Sequence, residues 1–176
     1  MTTTATAERM TVTSHSAPSV PRLRLEPTLS RRTLLDGGWW PRSTDPVAEL
    51  PGLILALDDR RGRVTRVMLG PAGWDSQPSR LGVAGRVVRL GWFTTQPAGL
   101  LTAICATGER VDLLVVPPDT GAADARAAIA LAAQPANTIH APDILTAVTD
   151  RRAAQAETAP ETIWESEGGH LHKSGI

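Results

Sequence analysis

The chain contains few of the residues that build cross-linked or reactive sites. Its 176 residues include one cysteine, no tyrosine and one phenylalanine. The lone thiol, Cys105, has no partner for an internal disulfide, and it does not supply the cysteine pairs on which many zinc sites are built. The absence of tyrosine excludes a tyrosine acid or base. We therefore expect a buried and inert Cys105, and we expect no cofactor and no metal.

Neither an excess of charge nor a long apolar run is present. Lysine and arginine total 18, as do aspartate and glutamate, so the formal net charge is zero. Proteins that bind nucleic acids usually carry a basic stripe, so nucleic acid is not the expected main partner. The sequence contains no run of 18 apolar residues, so we expect no membrane span. The twin-arginine string at residues 30–35 is followed by polar, turn-rich residues 36–42 instead of an apolar stretch, so we expect a cytoplasmic protein.

Catalytic motifs are also missing. The sequence has no GxSxG elbow, no GxGxxG loop and no GxxxxGK[ST] phosphate loop. Three of the four histidines lie near the termini, which leaves His140 alone in the body of the chain. A Ser-His-Asp arrangement would depend on that one residue. The sequence therefore does not favour an enzyme.

Composition divides the chain into a body and two tails. Residues 1–20 are rich in threonine, serine and alanine, and residues 159–176 have no periodic apolar pattern. Such segments bury too little apolar surface to offset the entropy lost on ordering. We predict disordered tails at residues 1–20 and 159–176. The remaining residues 21–158 have the size of one domain.

Within residues 21–158, apolar alternation and turn signals predict strands and helices. The predicted strands are residues 22–26, 64–69, 81–83, 86–93, 100–106 and 111–116. The predicted helices are residues 46–57, which Asp45 would cap, 121–134 and 142–157. Residues 28–43 read as an irregular loop. We predict a single α+β domain with a mostly antiparallel or mixed sheet and two to three helices packed on one side.

Three strings in this body resemble a known family. They are LDGGWWPRSTD at residues 35–45 with ELP following at 49–51, RLGWF at 89–93, and DLLVVPPDT at 112–120. Their order and spacing are similar to those of short actinobacterial proteins that share a domain of unknown function. The resemblance covers residues 23–134. It implies a bacterial protein with a variable tail, and it implies no activity.

The first candidate site is the run Trp39, Trp40, Pro41 and Arg42, with Asp45 close behind. Indole faces stack on planar ligands, and an arginine grips carboxylate or phosphate groups. The pair could form an aromatic ligand mouth or a partner-binding surface. Alternatively, one tryptophan fills the core and Arg42 pairs with a nearby carboxylate.

The second candidate site combines Arg89 and Trp92 with Asp112. Arg89 and Asp112 could form a cross-strand ion pair. In the other interpretation they lie in a cleft near Trp40 and anchor a ligand. The sequence leaves both open.

These sites favour a non-catalytic binding or regulatory module that uses the Trp39–Arg42 loop for an unidentified protein partner or a small ligand. A homodimer through a sheet edge is compatible with that function. One alternative is a small metal-independent enzyme in which arginines and carboxylates converge. The other is a protein that contacts single-stranded RNA through a sheet carrying Arg66, Arg89, Trp92 and Phe93.

Overall fold

The computed structural model describes residues 10–28, 33–97 and 99–158, and it confirms the predicted α+β class. Eight strands form one mixed sheet: β1 (Val12–Thr13), β2 (Arg22–Leu25), β3 (Gly37–Trp40), β4 (Val64–Leu69), β5 (Arg80–Val83), β6 (Arg86–Trp92), β7 (Leu100–Cys105) and β8 (Arg110–Val115). The helices of the described residues are α1 (Pro46–Arg61), α2 (Ala122–Ala132) and α3 (Ala141–Thr158). The predicted tails at residues 1–9 and 159–176 lie outside the described residues.

The strand order is β1-β5-β6-β4-β7-β8-β3-β2. The hairpins β5–β6 and β7–β8 are antiparallel, whereas β4 runs parallel to β6 and β3 runs parallel to β8. Because β7 is antiparallel to both β4 and β8, the strands β3, β4, β6 and β8 all point the same way. Their carboxyl ends therefore meet at one edge of the sheet.

The helices cover two faces of the sheet instead of the single side that we predicted. On the inner face, α1 packs against a cluster that includes Val67, Leu90 and Leu113. On the outer face, α2 and α3 pack against a second cluster that includes Trp40 and Leu114. Successive strand residues point to opposite faces, so Leu113 and Leu114 necessarily serve different layers. The inner face of β8 is apolar throughout, whereas its outer face is apolar at Leu114 and carries Arg110 and Asp112 nearer the start of the strand.

Helix α1 begins and continues for reasons visible in its sequence. The side chain of Asp45 accepts a hydrogen bond from the Val47 amide at 3.0 Å, as an N-cap residue does, and Pro46 occupies the first turn. The predicted cap is therefore confirmed. Pro51 lies inside the helix without ending it. Leu50 and Leu53 are fully buried against the sheet.

The outer layer depends on close approach at β3. A Cβ atom placed on Gly38 would lie 2.9 Å from the Cα of Ile129 in α2, closer than real Cβ contacts. The helix presents buried alanines, Ala128 and Ala132, to the same cluster. Small residues on both elements let α2 lie close against the sheet.

The segment that we predicted as an irregular loop contains strand β3, and every residue of Gly37–Trp40 is buried. Two successive glycines lower the expected strand propensity. A tertiary contact explains the glycine at position 37, because a Cβ on Gly37 would lie 2.1 Å from the carbonyl oxygen of Arg24 in β2. The prediction of a loop is wrong for these four residues.

The N-terminal segment also differs from the expectation drawn from its composition. Val12 and Thr13 pair in parallel with Leu81 and Gly82 of β5 and form one edge of the sheet. Both residues of β1 are exposed. Backbone pairing with an open edge strand, and not burial, explains this strand.

Candidate ligand-binding site

The tryptophan pair of the first candidate site lies in strand β3 and points to both faces of the sheet. Trp39 is 1% exposed in the inner cluster, and Trp40 is 9% exposed in the outer cluster. The guanidinium of Arg22 stacks over the Trp40 ring, 3.5 Å from its centroid. Of the two alternatives left open by the sequence, the structure favours burial, because neither indole forms an exposed ligand mouth or partner-binding surface.

A different tryptophan, Trp74, carries the accessible aromatic surface. Its ring stacks on Trp39, with centroids 6.0 Å apart and planes inclined by 17°. The edge of Trp92 completes a trio, with centroids 6.3 Å apart and an interplanar angle of 68°. Trp92 is fixed in turn because its indole nitrogen donates to the carbonyl of Pro78 at 2.8 Å. Trp74 is therefore held in place while it remains half-buried.

Beside Trp74 lies a cavity of about 790 Å³. It occupies the edge at which the parallel strands end, where ligands of open α/β sheets commonly bind. Its apolar wall is formed by Pro41, Leu69, Trp74, Leu100, Val115 and Pro117. These residues come from the ends of β3, β4, β7 and β8 and from the loop after β4.

A few polar groups line the cavity, and most of them are engaged within the protein. Ser43 donates to the carboxylate of Glu49 at 2.9 Å, and Thr44 donates to Asp75 at 2.8 Å. The side-chain amide of Gln96 donates to the hydroxyl of Thr102 at 3.3 Å. These bonds hold the rim of the cavity in place.

Among the described residues, no cationic side chain lines the cavity. Asp119 is the one charged residue of this described lining, and it is exposed. Carboxylate and phosphate ligands are normally held by arginine or lysine. The wall therefore favours an uncharged ligand over an anionic one.

Arg42 and Asp45 lie near this edge but serve the scaffold. The Arg42 side chain is exposed and donates to the carbonyl of Val20 at 2.8 Å, while its backbone amide donates to Glu49 at 3.1 Å. Asp45 caps α1. Neither residue is part of the cavity wall.

Arg89 and Asp112 lie on the outer face, and the structure does not pair them. Arg89 is in β6 and Asp112 in β8, with β4 and β7 between them, so the strands that carry them are about 14 Å apart across the sheet. Asp112 instead accepts hydrogen bonds from Thr102 at 2.6 Å and from Arg110 at 3.0 Å. The predicted cross-strand pair is wrong because the sequence does not reveal the strand order.

The sequence analysis missed Trp74 as a site residue. Trp74 lies in the turn-rich segment after β4, which has no periodic pattern to indicate burial or contact. Its nearest signal is composition, because a tryptophan among glycine, proline and serine in a loop needs a packing or binding explanation.

Cys105 is buried at the end of β7, as predicted. Burial raises the pKa of its thiol, and the nearby carboxylates of Glu109 and Asp58 act in the same direction. Within residues 10–28, 33–97 and 99–158, no three histidine, cysteine, aspartate or glutamate side chains gather into a group that could hold a metal ion. None of the helices described here is long and apolar enough to cross a membrane.

Comparison with known proteins gives a family without an activity. Neither the curated proteins nor the solved structures include a match to this chain. A family model described as a family of unknown function, DUF5994, matches residues 22–132. That range contains strands β2 to β8 and helices α1 and α2, and it includes every residue found to line the cavity. The chain belongs to DUF5994, a family of unknown function.

Proposed function

We propose that this protein is a non-catalytic binding module that takes an uncharged, largely apolar small molecule in the cavity beside Trp74. The observation that carries the proposal is the combination of a large apolar cavity with a tryptophan braced by two others. Two residues of the Trp39–Arg42 segment help to form this site. Trp39 supports the Trp74 ring, and Pro41 belongs to the wall.

The size of the cavity supports a small-molecule ligand. Sites for drug-sized ligands typically enclose about 300–1,000 Å³ and are lined mostly by apolar side chains with a few polar groups. The cavity has a volume of about 790 Å³ and a wall of this kind. Because Trp74 is held by Trp39 and Trp92, little side-chain entropy would be lost when a ligand stacks on it.

The chemistry of the wall narrows the ligand class. A half-buried indole face offers a stacking surface for a planar or ring-containing molecule. Ser43, Thr44 and Gln96 supply hydrogen-bonding groups at the rim. Asp119 is the one charged residue in the described part of the lining, so a ligand with a carboxylate or phosphate would gain no ion pair from that part of the wall.

The alternative of an arginine and carboxylate enzyme has less support. It needs Arg42, Asp45, Arg89 and Asp112 in one concave site, and none of the four lines the cavity. Arg89 and Asp112 are separated by two strands on the outer face. A protein partner, a homodimer through a sheet edge, a cytoplasmic location and an actinobacterial origin remain predictions from the sequence.

The test uses a neutral fluorescent probe, N-phenyl-1-naphthylamine, titrated into the full chain. Thr94 lines the cavity and is exposed, so Thr94→Trp should occupy part of the space without disturbing the core. We expect parent protein to bind the probe and Thr94→Trp to bind it at least about tenfold more weakly, because the added indole obstructs the cavity. Ala127→Trp, at an exposed position of α2 outside the wall, is the matched control and should bind like the parent.

Equal binding by the parent and Thr94→Trp would place the probe elsewhere and contradict the proposal. A sulfonated analogue, 8-anilinonaphthalene-1-sulfonate, separates the charge argument from the size argument. It should bind more weakly than the neutral probe. Native mass spectrometry of gently purified protein then asks whether a discrete adduct occupies the cavity, and the adduct's mass would identify the ligand.

A further inference from the structure

The described helices cover only part of the outer face of the sheet. Helices α2 and α3 pack over β2, β3 and β8, but side chains of β4 and β6 on the same face are exposed. Val87 is 42% exposed, and Phe93, just after β6, is 46% exposed. The open part of this face is separate from the cavity, which lies at the edge of the sheet.

Four arginines cross this open face in one line, which we call the arginine row. Arg80 of β5 pairs with Arg89 of β6, and Arg89 pairs with Arg66 of β4. Arg66 pairs with Ile104 of β7, which pairs with Arg110 of β8. With neighbouring strands about 4.8 Å apart, the row extends about 19 Å perpendicular to the strands.

The positive charge of the row is not balanced within the described part of the chain. Arg110 pairs with Asp112 at 3.0 Å. The side chains of Arg66 and Arg89 are exposed, and neither side chain forms a hydrogen bond or ion pair with another described residue. The Nε atom of Arg80 is buried without a hydrogen-bond partner. Like charges directly opposite each other destabilise a sheet, so three neighbouring arginines cost stability that folding alone does not explain.

An aromatic side chain lies beside the row. Gly91 follows Arg89 by two residues in β6 and shares its face, and a Cβ on Gly91 would lie 2.6 Å from the Phe93 ring. The Phe93 ring therefore lies on the sheet surface next to the row and remains half exposed. Guanidinium groups and an exposed ring on one open sheet surface are suited to phosphates and unstacked bases.

We propose that the arginine row and Phe93 form a binding surface for single-stranded nucleic acid, with phosphates along the arginines and a base stacked on Phe93. A second copy of this chain is disfavoured, because two such rows would repel each other. The net charge of zero, which led us to expect no nucleic acid partner, conceals this local concentration of positive charge. Of the residues in our RNA alternative, Arg66, Arg89 and Phe93 lie on this surface, whereas Trp92 packs in the inner layer.

The test measures fluorescence anisotropy of labelled single-stranded RNA and DNA of about 12 nucleotides, a length within the usual site size of a sheet-type binder. The full chain should bind at low salt and lose affinity steeply as salt increases. In Arg66→Gln/Arg89→Gln, we expect at least about tenfold weaker binding and a salt slope reduced by about 1.4, the value for two lost contacts to a single strand. The matched control is Arg126→Gln/Arg151→Gln, which removes two exposed arginines from helices α2 and α3 and should bind like the parent.

Phe93→Ala separates stacking from charge. It should weaken binding by about fivefold or more while leaving the salt slope unchanged, because it removes a base contact and no phosphate contact. Equal binding by Arg66→Gln/Arg89→Gln and the parent would overturn the proposal. It would also be overturned if the parent bound no oligonucleotide at low salt. Binding of poly-glutamate at equal charge with the same affinity, unaffected by Phe93→Ala, would instead indicate an acidic polypeptide ligand.

One competing occupant belongs to this chain. Glu161, Glu165 and Glu167 follow α3 in the sequence and could supply the missing negative charge. A full chain in which these three glutamates are changed to glutamine should bind the oligonucleotide as the parent does. If only this variant binds, the row is occupied by the chain's own acidic segment and the proposal fails.

Discussion

The two halves of the outer sheet face carry different kinds of side chain: apolar or glycine in one half, and arginine in the other. Where α2 covers β3, the face consists of glycine and large apolar groups, with Gly38 beneath Ile129 and Trp40 in the cluster. Where no described helix packs, on β4 and β6, the face carries Arg66 and Arg89. The sheet backbone continues through both halves without a break in order.

This difference shows that the composition of a strand reflects the layer above it more than the strand itself. A helix requires small residues and apolar side chains beneath it, because interiors are close-packed and buried charge is costly. An open face tolerates arginine, whose long stem covers apolar surface while its guanidinium remains in water.

The same substitution at two strand glycines should give very different losses of stability. Gly38→Ala places a methyl group 2.9 Å from the Cα of Ile129, and a helix backbone cannot move locally. We expect it to lower the free energy of unfolding by about 1–3 kcal/mol, the usual cost of overpacking. Urea denaturation measures this change.

Gly91→Ala is the matched control on the open half. Its methyl group meets only the end of the Phe93 side chain, which is half exposed and can rotate away. We expect a change smaller than about 0.5 kcal/mol, because Ala also restricts the unfolded chain. Equal losses at both glycines would show that α2 is not held closely against β3.

A pH-dependent difference should arise at Asp36, which precedes β3 and is half-buried. Burial raises the pKa of this carboxyl group, and the Asp112 carboxylate acts in the same direction, whereas a hydrogen bond from the Asp112 amide at 2.8 Å opposes the rise. An acid whose pKa is raised on folding binds its proton more tightly in the folded state. Its contribution to stability is therefore complete below the unfolded pKa and is lost as pH rises through the folded pKa.

We therefore expect Asp36→Asn, which does not ionise, to gain stability relative to the parent between about pH 4 and pH 7. The effect should be smaller than that of Gly38→Ala, and parallel urea titrations at the two pH values would measure it. Asp59→Asn, at an exposed position late in α1, is the control for loss of a carboxylate. A constant difference between Asp36→Asn and the parent would mean that Asp36 is not penalised by burial.

Local patterns in the sequence were sufficient for most of the elements. The Asp45–Pro46 pair indicated the start of α1, and the short gap between the predicted strands at residues 100–106 and 111–116 is typical of a hairpin, because both signals act over a few residues. Strand β3 was missed because the reason for Gly37 and Gly38 lies in Arg24 and Ile129, which are distant in the sequence. Long-range contacts overrode local propensity there.

The site was harder to predict than the elements. The cavity joins Pro41, Leu69, Leu100 and Val115, which become neighbours only once β3, β4, β7 and β8 are ordered in the sheet. The arginine row has the same origin, because Arg66 meets Arg89 through a parallel pairing that skips β5. An ion pair between Arg89 and Asp112 was compatible with the sequence because nothing in a single sequence specifies which strands are adjacent.

The smallest expected effect has the most informative sign. Arg89 lies between Arg80 and Arg66, so Arg89→Gln removes two repulsive cross-strand interactions at once. We expect it to raise the free energy of unfolding by about 0.2–0.5 kcal/mol at low salt. The gain should shrink at high salt, where the charges are screened.

Arg126→Gln in α2 is the control, since Arg126 is exposed and is not part of the row. It should change stability by no more than a few tenths of a kcal/mol at either salt concentration. If Arg89→Gln is more stable than the parent but binds single-stranded nucleic acid less well, the row reduces stability in favour of binding, a trade-off common at functional sites. If Arg89→Gln is less stable, the arginine stem stabilises the open face by packing, and repulsion within the row is too weak to indicate a ligand.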